Sequence, residues 1–338
     1  MFMFRRSTTG WMMALALAFV LACPVNLEAD DRLDVSYIPP DSVLGAVIYP
    51  RRILHSPAVQ MHPAIGGITK ELQGILGFDP NDVDQLWVII GPIEGNASTE
   101  VGFVFHLTRP HDPRSVLPAV RKQTKPGTVN GKTYQRATAS GGNSLYAAGD
   151  RTLLVAPDDL LRKMLANRRG PTLTTVSGVL HRYDDLNDML AIVLIKPLRP
   201  MIATRLPADA PPEMAELVKL PELVKTFGIK TTLSGTPSLT LGARCKDNSA
   251  AAEAKRILNS ALKTLKKDSS ARFFFQQDNV DPRQAIMAAE MHKQFVKFAN
   301  MLRLKRKGDR LEVSLRANKV TALQAELASL LPFLLSNQ

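Results

Sequence analysis

Apolar residues are arranged along this chain in three rhythms. Nearly continuous apolar runs occur at 43–49 (VLGAVIY), 86–90 (LWVII), 101–107 (VGFVFHL, interrupted by His106) and 189–195 (MLAIVLI). Their length suits strands, and continuous apolarity predicts burial on both faces. Helical spacing links Ile65, Ile68, Leu72 and Ile75, with Gly77 placed to end that helix. The same spacing follows Asp158 and Asp159, through Leu160, Leu161, Met164 and Leu165. It returns after Asp247, Asn248 and Ser249, in Ile257, Leu258, Ala261, Leu262 and Leu265. Further helices are predicted over 112–121, 282–298 and 321–335, the last carrying Leu323, Leu327, Leu330 and Leu331. Strict alternation marks 302–315: Leu302, Leu304, Leu311, Val313 and Leu315 against Arg303, Lys305, Arg310, Glu312 and Ser314. That pattern predicts a hairpin with one apolar face, turning at Gly308. The segments KTYQRA, NSLYAAG and RTLLVAP read as a meander, with turns at Gly141 and Gly149.

The order of these elements recurs. VIYPRR at 47–52 matches VLIKPLR at 193–199, with Pro50 aligned on Pro197 and Arg52 on Arg199. GDRTLLV at 149–155 matches GDRLEVS at 308–314. Between these anchors both halves run strand, turn, strand, then an acid-capped helix. The expected fold is α+β, in two related halves. Each half is a mainly antiparallel sheet with helices packed on one face. The first repeat spans 33–168 and the second 188–335. The stretch 169–187, rich in Thr, Gly and Arg, reads as a linker.

The N-terminus changes the setting. Arg5 and Arg6 precede the apolar run WMMALALAFVLA, and Glu28, Asp30 and Asp31 follow it. That run is shorter than the ~20 residues a membrane span takes. A basic start, a short apolar core and small residues near its end predict a secretory signal peptide over 1–29. Cleavage after Ala29 is favoured. The alternative is lipidation of Cys23, since Val20-Leu21-Ala22-Cys23 resembles a lipoprotein box, although Leu21 and Pro24 both suit that reading poorly. If the cut is after Ala29, Cys245 alone remains, so no internal disulfide can form. The expected location is exported: periplasm, cell envelope or medium. No transmembrane span is expected in the mature chain.

Three segments together resemble a known group: YIPPDSVLGAVIYPRRILHSP, GFDPNDVDQLWVIIG and GDRTLLVAPDDLLRKML. They are similar to a set of exported planctomycete proteins of uncharacterised function. Members share a Pro-Pro/Ala-Asp motif before a strand and Pro-Arg-Arg after it. They also share an Asp-Arg-Thr-Leu strand leading into an acid-started helix. The resemblance covers mainly 35–165. It implies an extracytoplasmic bacterial location and transfers no catalytic residue.

Catalytic motifs do not enrich this picture. The sequence contains no phosphate-binding glycine loop, no Gly-x-Ser-x-Gly elbow and no His-Glu-x-x-His, so no cofactor or metal is expected. His106 and His111 straddle a strand end without a cysteine or carboxylate cluster nearby. Asp158 and Asp159 open a helix, where negative charge is stabilising by about 0.3–1 kcal/mol. The net charge of +12 favours acidic partners. Arg51 and Arg52, with Arg199 in the second half, are candidate anion-binding residues, because arginine forks suit carboxylates and phosphates. The bland reading is the solvated end of a strand stopped by Pro50. Arg303, Lys305, Arg306 and Lys307 form the densest basic surface. Stacking aromatics are absent from it, which disfavours nucleic acid. An anionic envelope polymer, a lipid surface or another exported protein fits better. A charged edge protected from aggregation is the plain alternative. The expected function is an exported, non-catalytic binding or envelope-associated protein. Three others stay open: a carrier of an apolar ligand between sheet and helices, a hydrolase with an unrecognised site, and a structural subunit.

Overall fold

The computed structural model describes residues 35–56, 65–93, 99–112, 114–167, 176–181, 187–200, 215–232, 237–265, 296–297 and 300–316. The expected signal peptide, Cys23 and the helices expected over 282–298 and 321–335 lie outside the described residues, apart from a few positions of the first helix. The chain divides into two compact units. The first is Met1–Val193 with Lys230–Thr236, and the second is Leu194–Ile229 with Pro237–Gln338.

In the first unit the helices are α1 (Pro50–Leu54), α2 (Ile65–Leu76), α3 (Pro118–Arg121), α4 (Asp158–Ala166) and α5 (Val176–Leu180). The strands are β1 (Leu44–Ile48), β2 (Val83–Ile90), β3 (Val101–Leu107), β4 (Thr124–Val129), β5 (Lys132–Ala137), β6 (Asn143–Ala147), β7 (Thr152–Pro157) and β8 (Met189–Leu194). Their order is β8-β1-β2-β3-β7-β6-β5-β4, and each neighbouring pair is antiparallel. β1 sits between β2 and β8, with Ala46 opposite Val88 on one side and Ala191 on the other. A strand paired on both edges and packed on both faces needs the apolar run seen at 43–49.

Alternation along the strands separates the two faces of this sheet. Gly45, Ile89 and Gly102 align across β1, β2 and β3 and face the helices. A side chain on Gly45 would meet Val176 Cγ1 at 2.6 Å and Leu180 Cδ1 at 2.8 Å. One on Gly102 would meet Met164 Sδ at 3.0 Å. The two glycines thus let α5 and α4 lie close on one face, where Leu160, Leu161, Met164 and Leu180 are fully buried. Phe103 and Phe105 are buried on the other face, and Phe78, just past α2, meets Phe105 edge-on at 5.8 Å between ring centroids. Cover in this unit is therefore not confined to the face that carries α4 and α5.

Three local outcomes differ from the sequence expectation. The helix expected from Asp112 begins only at Pro118. Proline disfavours a helical conformation in the residue before it, and Leu117 takes φ +47°. Asp112 instead closes a turn, accepting from the Arg114 backbone N–H at 2.9 Å. β4 contains Pro126 and Gly127, which hide a strand from a propensity reading, yet it pairs with β5 over its whole length. It ends the strand order, where proline is tolerated. Within 169–187, α5 is a helical turn with Val176 and Leu180 buried.

The second unit carries α6 (Leu220–Leu223), α7 (Asn248–Leu265), β9 (Val224–Thr232), β10 (Ser238–Cys245), β11 (Lys305–Lys307) and β12 (Arg310–Arg316). Residues 230–232 of β9 group with the first unit. The strand order is β11-β12-β10-β9, with Leu241 opposite Val313 and Ala243 opposite Leu311. Asp247 caps α7 by accepting from the Ala250 N–H at 2.8 Å. The N-terminal half of α7 rests on the sheet through small residues. Ala250, Ala251 and Ala254 are buried with Cys245, Val224 and Leu311. Among the described residues no helix is long and apolar enough to cross a membrane.

Candidate functional site

The alanines hold the start of α7 against β10 and β12, but the next two turns carry leucines. Leu258 and Leu262 face a cavity of about 700 Å³ inside the second unit. Its floor is the sheet: Leu241 and Ala243 of β10, Leu311 and Val313 of β12, and Val224 and Phe227 of β9. Leu217, Leu220 and Pro221 close one side, and Leu302 and Leu304 another. Every lining side chain is apolar. The alternation of 302–315 is what supplies two walls at once: Leu311 and Val313 are buried and Leu304 half-buried, while Arg310, Glu312 and Ser314 stand exposed.

Ion pairs hold the walls from outside. Arg256 of α7 grips Glu216 with its two terminal guanidinium nitrogens, Nη1 and Nη2, at 2.8 and 3.0 Å, and so ties the helix to the turn Glu216–Lys219. Hydrogen bonding to Arg256 holds the Glu216 carboxyl below the usual carboxylate range, against a smaller opposing effect of desolvation. Arg244 of β10 donates to Asp309 at 2.9 Å and fixes the β11–β12 turn. That bond likewise lowers the Asp309 carboxyl.

A second recess of about 360 Å³ adjoins the cavity and shares Leu262, Leu302 and Leu304 with it. Its other lining residues are polar: Lys255, Asn259 and Lys263 from α7, and Arg303. Lys255, Asn259 and Lys263 are spaced four apart, which puts them on one stripe of the helix, beside the stripe of Leu258 and Leu262.

The residues singled out from sequence fall elsewhere or differently. Arg51 is exposed at the start of α1. Arg52 lies over the Tyr49 ring, 4.0 Å from its centroid. His55, which caps the end of α1 just after these arginines, has its Nδ1 2.9 Å from the Arg51 carbonyl oxygen. None of these three lines the cavity. Arg199 is a clamp: its Nε donates to the Pro221 carbonyl at 2.9 Å and its Nη1 pairs with Glu222 at 3.1 Å. It therefore fixes a wall residue of the cavity without entering it. In the basic hairpin, Lys305 and Lys307 point to solvent, opposite Glu312 and Arg310. Arg306 sits opposite Leu311, on the helix side, and donates to the Asn248 carbonyl at 3.1 Å. Cys23 lies outside the described residues.

Asp158 does more than start a helix. It accepts from the Tyr134 hydroxyl at 2.7 Å and pairs with Arg136 at 3.1 Å and Arg162 at 2.9 Å. Burial, then the bond to Asp158, raises the Tyr134 phenol above its ordinary value. This cluster joins β5 to α4. His111 leans on Asp82 at 3.6 Å and His106 lies 3.2 Å from the Thr152 hydroxyl. Among the described residues no group of three or more His, Cys, Asp or Glu side chains could hold a metal ion.

No family model matches the chain. No curated protein matches it either. Among solved structures, TP0453, a spirochete protein, is similar in two crystal forms. Crystal form III aligns with a TM-score of 0.42 at 10% identity, covering 87% of this chain and 98% of that one. Crystal form I aligns with 0.39 at 7% identity, covering 88% and 98%.

Proposed function

We propose that this is an exported, non-catalytic binding protein that carries an apolar ligand in the cavity of its second unit. The carrying observation is the cavity itself. Its volume of about 700 Å³ lies within the ~300–1,000 Å³ usual for ligand sites. It is far larger than the ~150 Å³ hole that suffices to take up benzene. A lining without polar side chains offers nothing to a sugar or peptide backbone, and no group poised for hydrolysis. It rewards an alkyl chain by about 25 cal/mol per Å² of apolar surface removed from water. Export is supported by the N-terminal pattern and by the resemblance of 35–165 to exported planctomycete proteins.

The direct test is displacement of a neutral, polarity-sensitive fluorophore from the purified mature chain by a long-chain alcohol. Saturable displacement is expected, and Ala243→Trp, which fills the cavity floor, should weaken it at least tenfold with far-UV circular dichroism unchanged. Absence of saturable binding by the wild type, or equal binding by a folded Ala243→Trp chain, would refute the carrier reading.

We also infer that the two halves descend from one duplicated unit. The strand order β2-β3-β7-β6 of the first half has the same pattern as β9-β10-β12-β11 of the second. In each, the last hairpin turns on a glycine with positive φ, +90° at Gly149 and +60° at Gly308. An experimental structure in which these four-strand sets fail to superpose, or in which Pro50 and Pro197 do not coincide, overturns the inference.

A further inference from the structure

We propose that the ligand is an amphiphile with an anionic head, its chain in the apolar cavity and its head held by Lys255, Lys263 and Arg303. This rests on the carrier reading and adds the class of ligand. The two spaces are continuous in their walls, since Leu262, Leu302 and Leu304 line both. The larger is wholly apolar, and the smaller brings together three cationic side chains and Asn259 with no carboxylate among its lining residues. Four other cations of this unit are matched with acids: Arg256 with Glu216, Arg244 with Asp309, and Arg199 and Lys246 with Glu222. Lys255, Lys263 and Arg303 make no ion pair with a carboxylate among the described residues. Like charges gathered at one recess repel one another, and an anion between them removes that penalty.

Helix geometry makes the pairing of chain and head specific. Leu258 and Leu262 form one stripe of α7, and Lys255, Asn259 and Lys263 the next. A molecule that leaves the apolar stripe at Leu262 meets ammonium groups at once. Asn259 can donate to or accept from the head as well. A cationic head would be repelled, and a neutral one would gain only hydrogen bonds. Carboxylate and phosphate share the required chemistry, so a free fatty acid and a lysophospholipid-like phosphate are both candidate sources.

The test uses the full mature chain and the same neutral fluorophore, displaced by four ligands with one chain length. These are hexadecanoate, hexadecyl phosphate, hexadecanol and hexadecyltrimethylammonium. Both anions, or whichever of the two is the better head, should compete at concentrations at least tenfold below the alcohol, with the cation weakest. The tighter anion identifies the source. The triple variant Lys255→Gln, Lys263→Gln, Arg303→Gln should bring the anions to the alcohol's level and leave the alcohol unchanged. Single Lys255→Gln and Lys263→Gln variants, each expected to lose severalfold in anion affinity, guard against a triple variant that misfolds. If the alcohol binds as well as either anion, the anionic head is wrong and the carrier reading stands. If the variants weaken alcohol and anion equally, the three cations are not head ligands. If the full chain binds none of the four, both proposals fall. That is the outcome expected were residues 317–338 or a second copy of the chain to fill the cavity.

Discussion

At the scale of single residues, Asp158 gathers three side chains in the first unit. Its carboxylate takes the Tyr134 hydroxyl and two arginines while keeping only 18% of its side-chain surface exposed. Hydrogen bonds to charged groups are worth about 1.5–3 kcal/mol each when partly buried. Asp158→Asn preserves shape but removes the charge, and urea unfolding should show a loss of about 2–3 kcal/mol. A loss below about 0.5 kcal/mol, the range of exposed pairs, would mean that solvent already screens the cluster. Tyr134 adds a pH dependence with a definite sign. Its phenol is raised in the folded chain, so the folded state holds its proton more tightly than the unfolded state, whose tyrosine titrates near ~10. The resulting stability is fully present below that unfolded value and is lost as pH rises through the folded one. The stability difference between wild type and Tyr134→Phe should stay flat up to about pH 10 and shrink above it. A constant difference up to pH 12 would contradict the assignment. The sequence revealed Asp158 as a helix opener, because helix starts depend on near neighbours. It could not reveal the partnership with Tyr134, which depends on how β5 and α4 meet.

Among the elements, the contact of α5 with β1 is set by a missing side chain. A β-carbon on Gly45 would lie 2.6 Å from Val176 and 2.8 Å from Leu180, both fully buried. Overpacking of this kind costs about 1–3 kcal/mol. Gly45→Ala should therefore lower the denaturation midpoint with an unchanged denaturant slope, and Gly45→Ala with Val176→Ala should recover part of the loss. No recovery would show that the strain lies elsewhere. The long apolar strands and the amphipathic helices α2, α4 and α7 were legible in the sequence, since period and caps speak for themselves there. The elements that were not legible are those that local preference opposes. β4 survives Pro126 and Gly127 because it ends the strand order, α3 starts late because of Pro118, and α5 is too short to show a period.

For the whole molecule, the cavity is the feature that sequence alone did not expose. Its walls come from Ile195, Leu217, Leu258, Leu304 and Leu311, each an ordinary core residue in its own segment. An empty space between them has no local signal. The basic hairpin was legible as a pattern, but the structure divides its labour. Arg306 is spent on the backbone of Asn248, and Arg303 borders the recess, leaving Lys305 and Lys307 as the solvent-facing charges. With a net charge of +12, weak attraction to anionic vesicles is expected to persist in Arg306→Ser and to diminish in Lys305→Ser, Lys307→Ser. It should fade between 0.1 and 1 M salt, as the Debye length falls from ~10 to ~3 Å. Equal vesicle binding by all variants, with lower solubility of the lysine pair, would mark this ribbon as a protective edge. Export remains a matter for N-terminal sequencing of secreted protein, which should begin near Asp30 or at Cys23. Recovery of intact Met1 in the cytoplasm of the host would argue against it.

Cys245 lies fully buried under the alanines of α7, and burial raises its thiol above the ordinary range. A chain cleaved after Ala29 carries no other cysteine. Its reaction with an aromatic disulfide reagent is then a clock for α7, because sulfur can be reached only when the helix lifts from the sheet. At low reagent the rate reports how often the helix lifts and recloses, and at high reagent it reports the lifting step itself. A ligand filling the neighbouring cavity should slow this clock, whereas one adsorbed on the outer surface should leave its pace unchanged. The chain thus carries its own gauge of whether its interior is occupied.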